Sequence, residues 1–157
     1  MPALNWQSEL GKVLDEWASS SKERHVVISP DVDGLTSASI LNELYPLKII
    51  GIYTTTNLLL LDNHTSEDAR NALWLDHDIS QLGVRCVGQH LVHHQPENKL
   101  PLRDNRSWNP NVWVRQAWSD SFKGVAGRKR DKYPYGTAHF LWDLKHRGTT
   151  PSPEQTA

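Results

Sequence analysis

Cysteine is nearly absent from this sequence: Cys86 stands alone among 157 residues. No disulfide can form within the chain, which fits a reducing compartment. Long apolar runs are absent too. None approaches the roughly 20 residues needed to span a bilayer, so no membrane-embedded segment is expected. The opening residues, MPALNWQSEL, lack the basic and apolar regions of a secretory signal, and the expected location is the cytoplasm. A large net charge is also missing. The formal balance is −1, which excludes a chain that acts as a nucleic-acid-binding polycation along its whole length. No internal repeat is visible.

What is present points to one domain with a real core: the length suffices, and 38% of residues are hydrophobic. We assign residues 1–147 to that domain, with 1–24 as an N-terminal helix and linker and 148–157 as a loose Thr/Pro/Ser tail. Trp6, Leu10, Val13, Leu14 and Trp17 lie on one face of a helix. Strands are expected at His25–Ser29, at Leu47–Thr54, at Ala72–Leu75 running into the polar Asp76-His77-Asp78, and a fourth at Val84–Gly88. A further short strand is expected at Leu91-Val92. Helices are expected at Leu35–Leu44, from Thr65 through Asn71, over Val112–Phe122 and over Gly136–Lys145, the last with Thr137 as its cap. Thr54–Leu61 reads either as a loop with a helical turn or as an apolar flap, and 99–111 as a polar loop. Alternating strands and helices imply βαβ units, hence an α/β fold with a parallel, doubly wound sheet and flanking helices.

Charge is unevenly placed. Between Lys99 and Lys132 nine Lys/Arg face three Asp, with tryptophans interleaved and Tyr133 and Tyr135 just beyond. Such a segment is either a solvated face or a track for single-stranded nucleic acid. The seven tryptophans are expected mainly in the core.

The chain is organised around VVISPDVDGLTSASIL, Val26–Leu41. An apolar run of the buried-strand type leads into Asp31 and Asp33, and Gly34 permits a sharp turn into a helix. Read as an extension of the strand, residues two apart point the same way, so both carboxylates face one small volume. Thr36 and Ser37 would open the helix beside exposed N–H groups, where a phosphate can bind. Two later segments also put acids or imidazoles just after apolar runs: Asp76 with Asp78, and His93 with His94. Ligands of open α/β sheets bind outside the carboxyl ends of the strands, so the three segments are expected to converge. His77, Asp78 and His90 are expected as exposed loop, outer-shell or structural residues. Carboxylates with one or two imidazoles suit Mn²⁺ or Mg²⁺. Two such ions about 3.5–4 Å apart would activate water and neutralise a phosphodiester.

SPDVDG, LWLD and LVHHQPE together resemble the motifs of the DHH phosphoesterase superfamily, which includes RecJ-like exonucleases. SWNPN and KYPYGTAHFL resemble the connector and helix that follow in some members, so the likeness covers roughly 26–144. The resemblance implies a single DHH-type domain, truncated relative to the superfamily's usual two, with two Mn²⁺ or Mg²⁺ ions. It implies a phosphodiesterase or nuclease acting on single-stranded nucleic acid or small nucleotides. By the same resemblance Asp31, Asp33, Asp76 and His93 hold metal, with Asp76 bridging. His93 and His94 serve catalysis, and Thr36, Ser37 and His94 hold substrate. Three departures set this chain apart. Ser29 stands where many members have His or Asp, Val92 stands at the name-giving Asp, and no fourth-motif Asp follows. They imply weak or absent turnover. The rival reading is a non-catalytic module of the same fold that binds nucleic acid, nucleotide or a protein partner replacing the second domain. A third reading is a sugar- or nucleotide-phosphate-binding domain unrelated to that superfamily.

Overall fold

A computed structural model describes residues 6–20, 23–79, 83–91, 106–110 and 136–146. The first helix, α1, runs Trp6–Ser20 and buries Leu10, Val13, Leu14 and Trp17. Strand β1 is His25–Ile28, followed by α2 at Val32–Leu44. Then come β2 at Lys48–Tyr53, β3 at Leu58–Leu60, α3 at Ser66–Asn71 and β4 at Leu73–Asp78. Strand β5 is Arg85–Leu91, β6 is the two-residue Ser107–Trp108, and α4 is Thr137–Lys145.

The strands form one six-stranded sheet in the order β3-β2-β1-β4-β5-β6. All neighbours run parallel except β3, which pairs antiparallel with β2 at the edge. Strand alternation divides the core in two. Val26, Ile28, Leu73, Leu75 and Val87 face α1, α2 and α4, together with Trp108 and Phe140. Val27, Ile50, Trp74 and Cys86 face the α3 side, with Ala69 and Ala72. Burying one such aliphatic side chain contributes about 1.5–3 kcal/mol relative to exposure. Two apolar faces therefore account for the fully apolar reading of β1, as expected of a doubly wound sheet.

Chain order reverses between β1 and β4: β2 and β3 extend the sheet on one side of β1, and β4 to β6 on the other. This is a topological switch point, where diverging connections open a crevice at the strands' carboxyl ends.

Several expectations need correction. Helix α2 starts at Val32, three residues early, because Asp31 itself is the cap and accepts from the Gly34 N–H. Asp33 thus sits in the first helical turn rather than on an extended strand. Thr36 and Ser37 lie in the second turn, with Thr36 exposed and Ser37 buried in the core. Residues 58–60 are neither flap nor helix but an edge strand, paired to β2. Strand β5 runs unbroken to Leu91, where two short strands were expected. Ser107-Trp108, expected in a loop, adds a parallel strand against Cys86 and Val87. The capping box of Thr65 and Asp68 forms as expected. The expected helix at 112–122, the basic segment 124–135, His93, His94 and the tail 148–157 lie outside the described residues. No helix among the described residues is long and apolar enough to cross a membrane.

Candidate functional site

The site begins where β1 ends. Ser29 is buried, and its hydroxyl lies 2.8 Å from Asp31 Oδ1 and 2.9 Å from Asp76 Oδ2. Asp31 Oδ1 also accepts from the Gly34 N–H at 2.9 Å, as its helix-capping role requires. From the far end of the sequence, the first turn of α4 closes on the same acids. The N–H groups of Thr137 and Ala138 donate to Asp33 Oδ2 and Oδ1 at 2.7 and 2.9 Å. The Thr137 hydroxyl donates to Asp76 Oδ1 at 2.7 Å. Three carboxylates from β1's exit, α2 and β4 are thereby linked in one network at the switch point.

Asp76 is placed by a local break in the ladder. The β4–β5 register shifts between Leu75 and His77, and Asp76 takes φ 68°, the left-handed region. For a non-glycine residue that conformation costs on the order of 1–3 kcal/mol and is held by its surroundings. Gly88, opposite on β5, makes room: a Cβ there would run into the backbone of Asp76 and His77. The glycine at the mouth of α4 has a similar function. A Cβ on Gly136 would come within 2.5 and 2.6 Å of the Asp33 carboxylate oxygens.

The electrostatics follow from this crowding. Asp76 is fully buried, and its pKa is pushed up to about 7. Loss of hydration is the main cause, reinforced by the charge and hydrogen bonding of Asp33, while the Thr137 and Ser29 hydroxyls pull the other way. Proton bookkeeping agrees. The single hydroxyl proton of Ser29 faces oxygens of two acids and serves only one at a time. A proton on Asp76 relieves that conflict.

A second polar cluster lies two residues on. His77 and Asp78, expected as loop or outer-shell residues, are buried because β4 continues through them. His77 Nε2 is 2.9 Å from the Tyr53 carbonyl oxygen. Asp78 accepts from the Asn109 amide at 2.7 Å, with the Cys86 thiol 3.6 Å away.

Of the expected site residues, Asp31, Asp33 and Asp76 are brought together, and Thr36 and Ser37 are not part of the network. His93 and His94 lie outside the described residues. Thr137, expected to cap its own helix, makes no such cap bond; Gly136 is the cap residue, and the hydroxyl goes to Asp76. Sequence reasoning missed Thr137, Gly88 and Asn109. A glycine in a strand interior does signal a bulge or close approach, and that signal was available at Gly88.

In donor chemistry the three acids suit a hard divalent cation. In arrangement the described residues do not complete a site: no three His, Cys, Asp or Glu among them converge to hold a metal ion. Both oxygens of Asp33 meet N–H donors of α4, and both of Asp76 lie within hydrogen-bond distance of a hydroxyl of the chain.

No family model matches the chain, and no curated protein matches it. Among solved structures it is similar to that of the exonuclease RecJ bound to manganese, at 19% sequence identity and a TM-score of 0.44. The match covers 98% of this chain and 40% of that one, so the chain spans well under half that protein's length.

Proposed function

We propose that this chain is a DHH-type phosphoesterase domain, a metal-dependent phosphodiesterase or nuclease for single-stranded nucleic acid or small nucleotides. One observation carries the reading: Asp31, Asp33 and Asp76 are joined in one hydrogen-bonded network through Ser29 and Thr137, beside the carboxyl end of β1 at the switch point of a parallel sheet. A buried carboxylate with a raised pKa beside a second carboxylate, in strained backbone, is what functional sites collect. His93 would complete the ligand set and His94 would hold the phosphate. Mn²⁺ or Mg²⁺ bound there would supply an activated water and charge neutralisation. The chain's own part is to hold the acids together, with Asp76 buried and Asp31 and Asp33 fixed at the entrance of α2.

The experiment is a Mn²⁺ titration by calorimetry beside cleavage of a 5′-labelled single strand, with Asp33→Asn and His93→Ala as variants. We expect binding that both variants weaken and, in the wild type, slow cleavage. Slow turnover follows from Val92, since loss of an outer partner typically costs about 10–100-fold. Wild-type protein that neither binds Mn²⁺ nor cleaves would remove the enzymatic reading.

One observation favours the second reading, a non-catalytic module of the same fold that binds nucleic acid, nucleotide or a protein partner. The oxygens of Asp33 and Asp76 all lie within hydrogen-bond distance of N–H or hydroxyl groups of the chain. Binding of an oligonucleotide without Mn²⁺ dependence, and without hydrolysis, is the outcome that would select it.

A further inference from the structure

We infer that Thr137 is a positioning residue for the acid cluster, fixing Asp33 through its backbone N–H and Asp76 through its hydroxyl. The inference rests on the functional reading of that cluster, and goes beyond it by assigning a role to a helix that contributes no acid.

Four observations lead there. First, Thr137 is fully buried, and its two donors reach two different carboxylates at 2.7 Å each. No other described residue donates to both Asp33 and Asp76. Second, the hydroxyl has no task within its own helix. Gly136 is the cap residue of α4, no side-chain cap bond forms, and the Thr137 hydroxyl donates to Asp76. Third, the approach is built for closeness, because Gly136 lies where any side chain would collide with the Asp33 carboxylate. Fourth, α4 is rigidly seated. Phe140 and Leu141 are buried in the main core, and the Phe140 ring stands edge-on to Trp108 at 4.8 Å. Lys145 also pairs with Glu43 of α2.

The physical logic is that of outer partners that orient ligating groups. An aspartate rotates about two bonds, and the direction of its oxygens is set by whatever donates to them. Asp33 faces the N-terminal end of α4, where the first N–H groups of the helix donate to its two oxygens. The branched side chain of Thr137 is stiff about its first torsion, so its hydroxyl holds Asp76 in one orientation. A purely structural position at this depth would be served by valine, which has the same shape and no buried hydroxyl to satisfy. Because Thr137 lies 104 residues from Asp33 and 61 from Asp76, the cluster's geometry depends on α4 being docked.

The test uses the full chain without metal, labelled for NMR, with Thr137→Val, Thr137→Ser and Asp33→Asn. Side-chain carboxyl carbons of Asp33 and Asp76 and the amides of residues 137 and 138 are the readouts. We expect Thr137→Val to move the Asp76 carboxyl resonance and Thr137→Ser to restore it. Asp33→Asn should move both amides, and that measurement stands even if the valine variant folds poorly. An Asp76 resonance unmoved in a folded Thr137→Val chain would overturn the proposal, as would amides indifferent to Asp33→Asn. In parallel, Mn²⁺ affinity should fall about 10–100-fold in Thr137→Val and recover in Thr137→Ser. If the wild type binds no Mn²⁺ while the carboxyl and amide responses hold, the functional reading fails and the positioning role stands.

Discussion

Asp76 and Asp78 sit two residues apart on β4, both almost wholly buried, yet they are held in different ways. Asp76 lies in a left-handed bulge beside Asp33, with two hydroxyls for company. Asp78 meets the Asn109 amide and the Cys86 thiol. Burial alone therefore does not mark a site. What sets Asp76 apart is a like charge nearby and strained backbone. Asp78 ties β4 to the residue after β6, and that serves the sheet.

The comparison breaks most severely at Gly88. An added methyl meets the backbone of Asp76 and His77, neither of which is a flexible side-chain end. Gly88→Ala should cost about 3 kcal/mol or more, read as a lowered urea midpoint. A variant as stable as the wild type would mean the bulge is not held against β5 as described.

Next in size is a pH effect confined to Asp76. Its folded pKa, about 7, lies above the ordinary 3.8. A raised carboxyl pKa contributes stability that is fully present below about pH 4 and is lost as pH rises through about 7. The loss should amount to a few kcal/mol. Asp76→Asn should flatten that slope and be more stable than the wild type at pH 8, while losing any Mn²⁺ affinity. Urea unfolding at pH 5 and pH 8 measures it, and an unchanged slope in Asp76→Asn would assign the pH dependence elsewhere.

Asn109→Ala removes a donor from the buried Asp78 carboxylate. It should cost about 1–3 kcal/mol and leave Mn²⁺ affinity unaffected, which sharpens the contrast between the two acids. A variant that loses metal affinity along with stability would merge the two clusters into one.

The smallest effect is expected at the surface, in the capping box. Thr65→Ala removes the acceptor for the Asp68 N–H and should cost about 1 kcal/mol. Thermal unfolding should show it without any change at the acids.

Much of the architecture was legible beforehand because it depends on local pattern. The apolar run of β1, the helical spacing in α1 and α2, and the Thr65–Asp68 box are all short-range signals, and they formed close to where expected. The edge strand β3 was not legible, because TTTNLLLL has no period-2 alternation and its pairing is set by β2. Strand β6 was equally hidden. Two residues carry no periodicity, and only Cys86 and Val87 alongside them define the strand.

At the candidate site, the sequence by itself marked the acids that the structure links, and roughly where they fall: Asp31 and Asp33 after the first apolar run, Asp76 near the end of the third. Residue type and position after a strand suffice for that, because strand ends in a parallel sheet share an edge. Only the tertiary structure decided what those acids meet. The bulge at Asp76 and the arrival of Thr137, 104 residues from Asp33, depend on strand register and helix docking. Those are long-range packing outcomes, and no local window of residues encodes them.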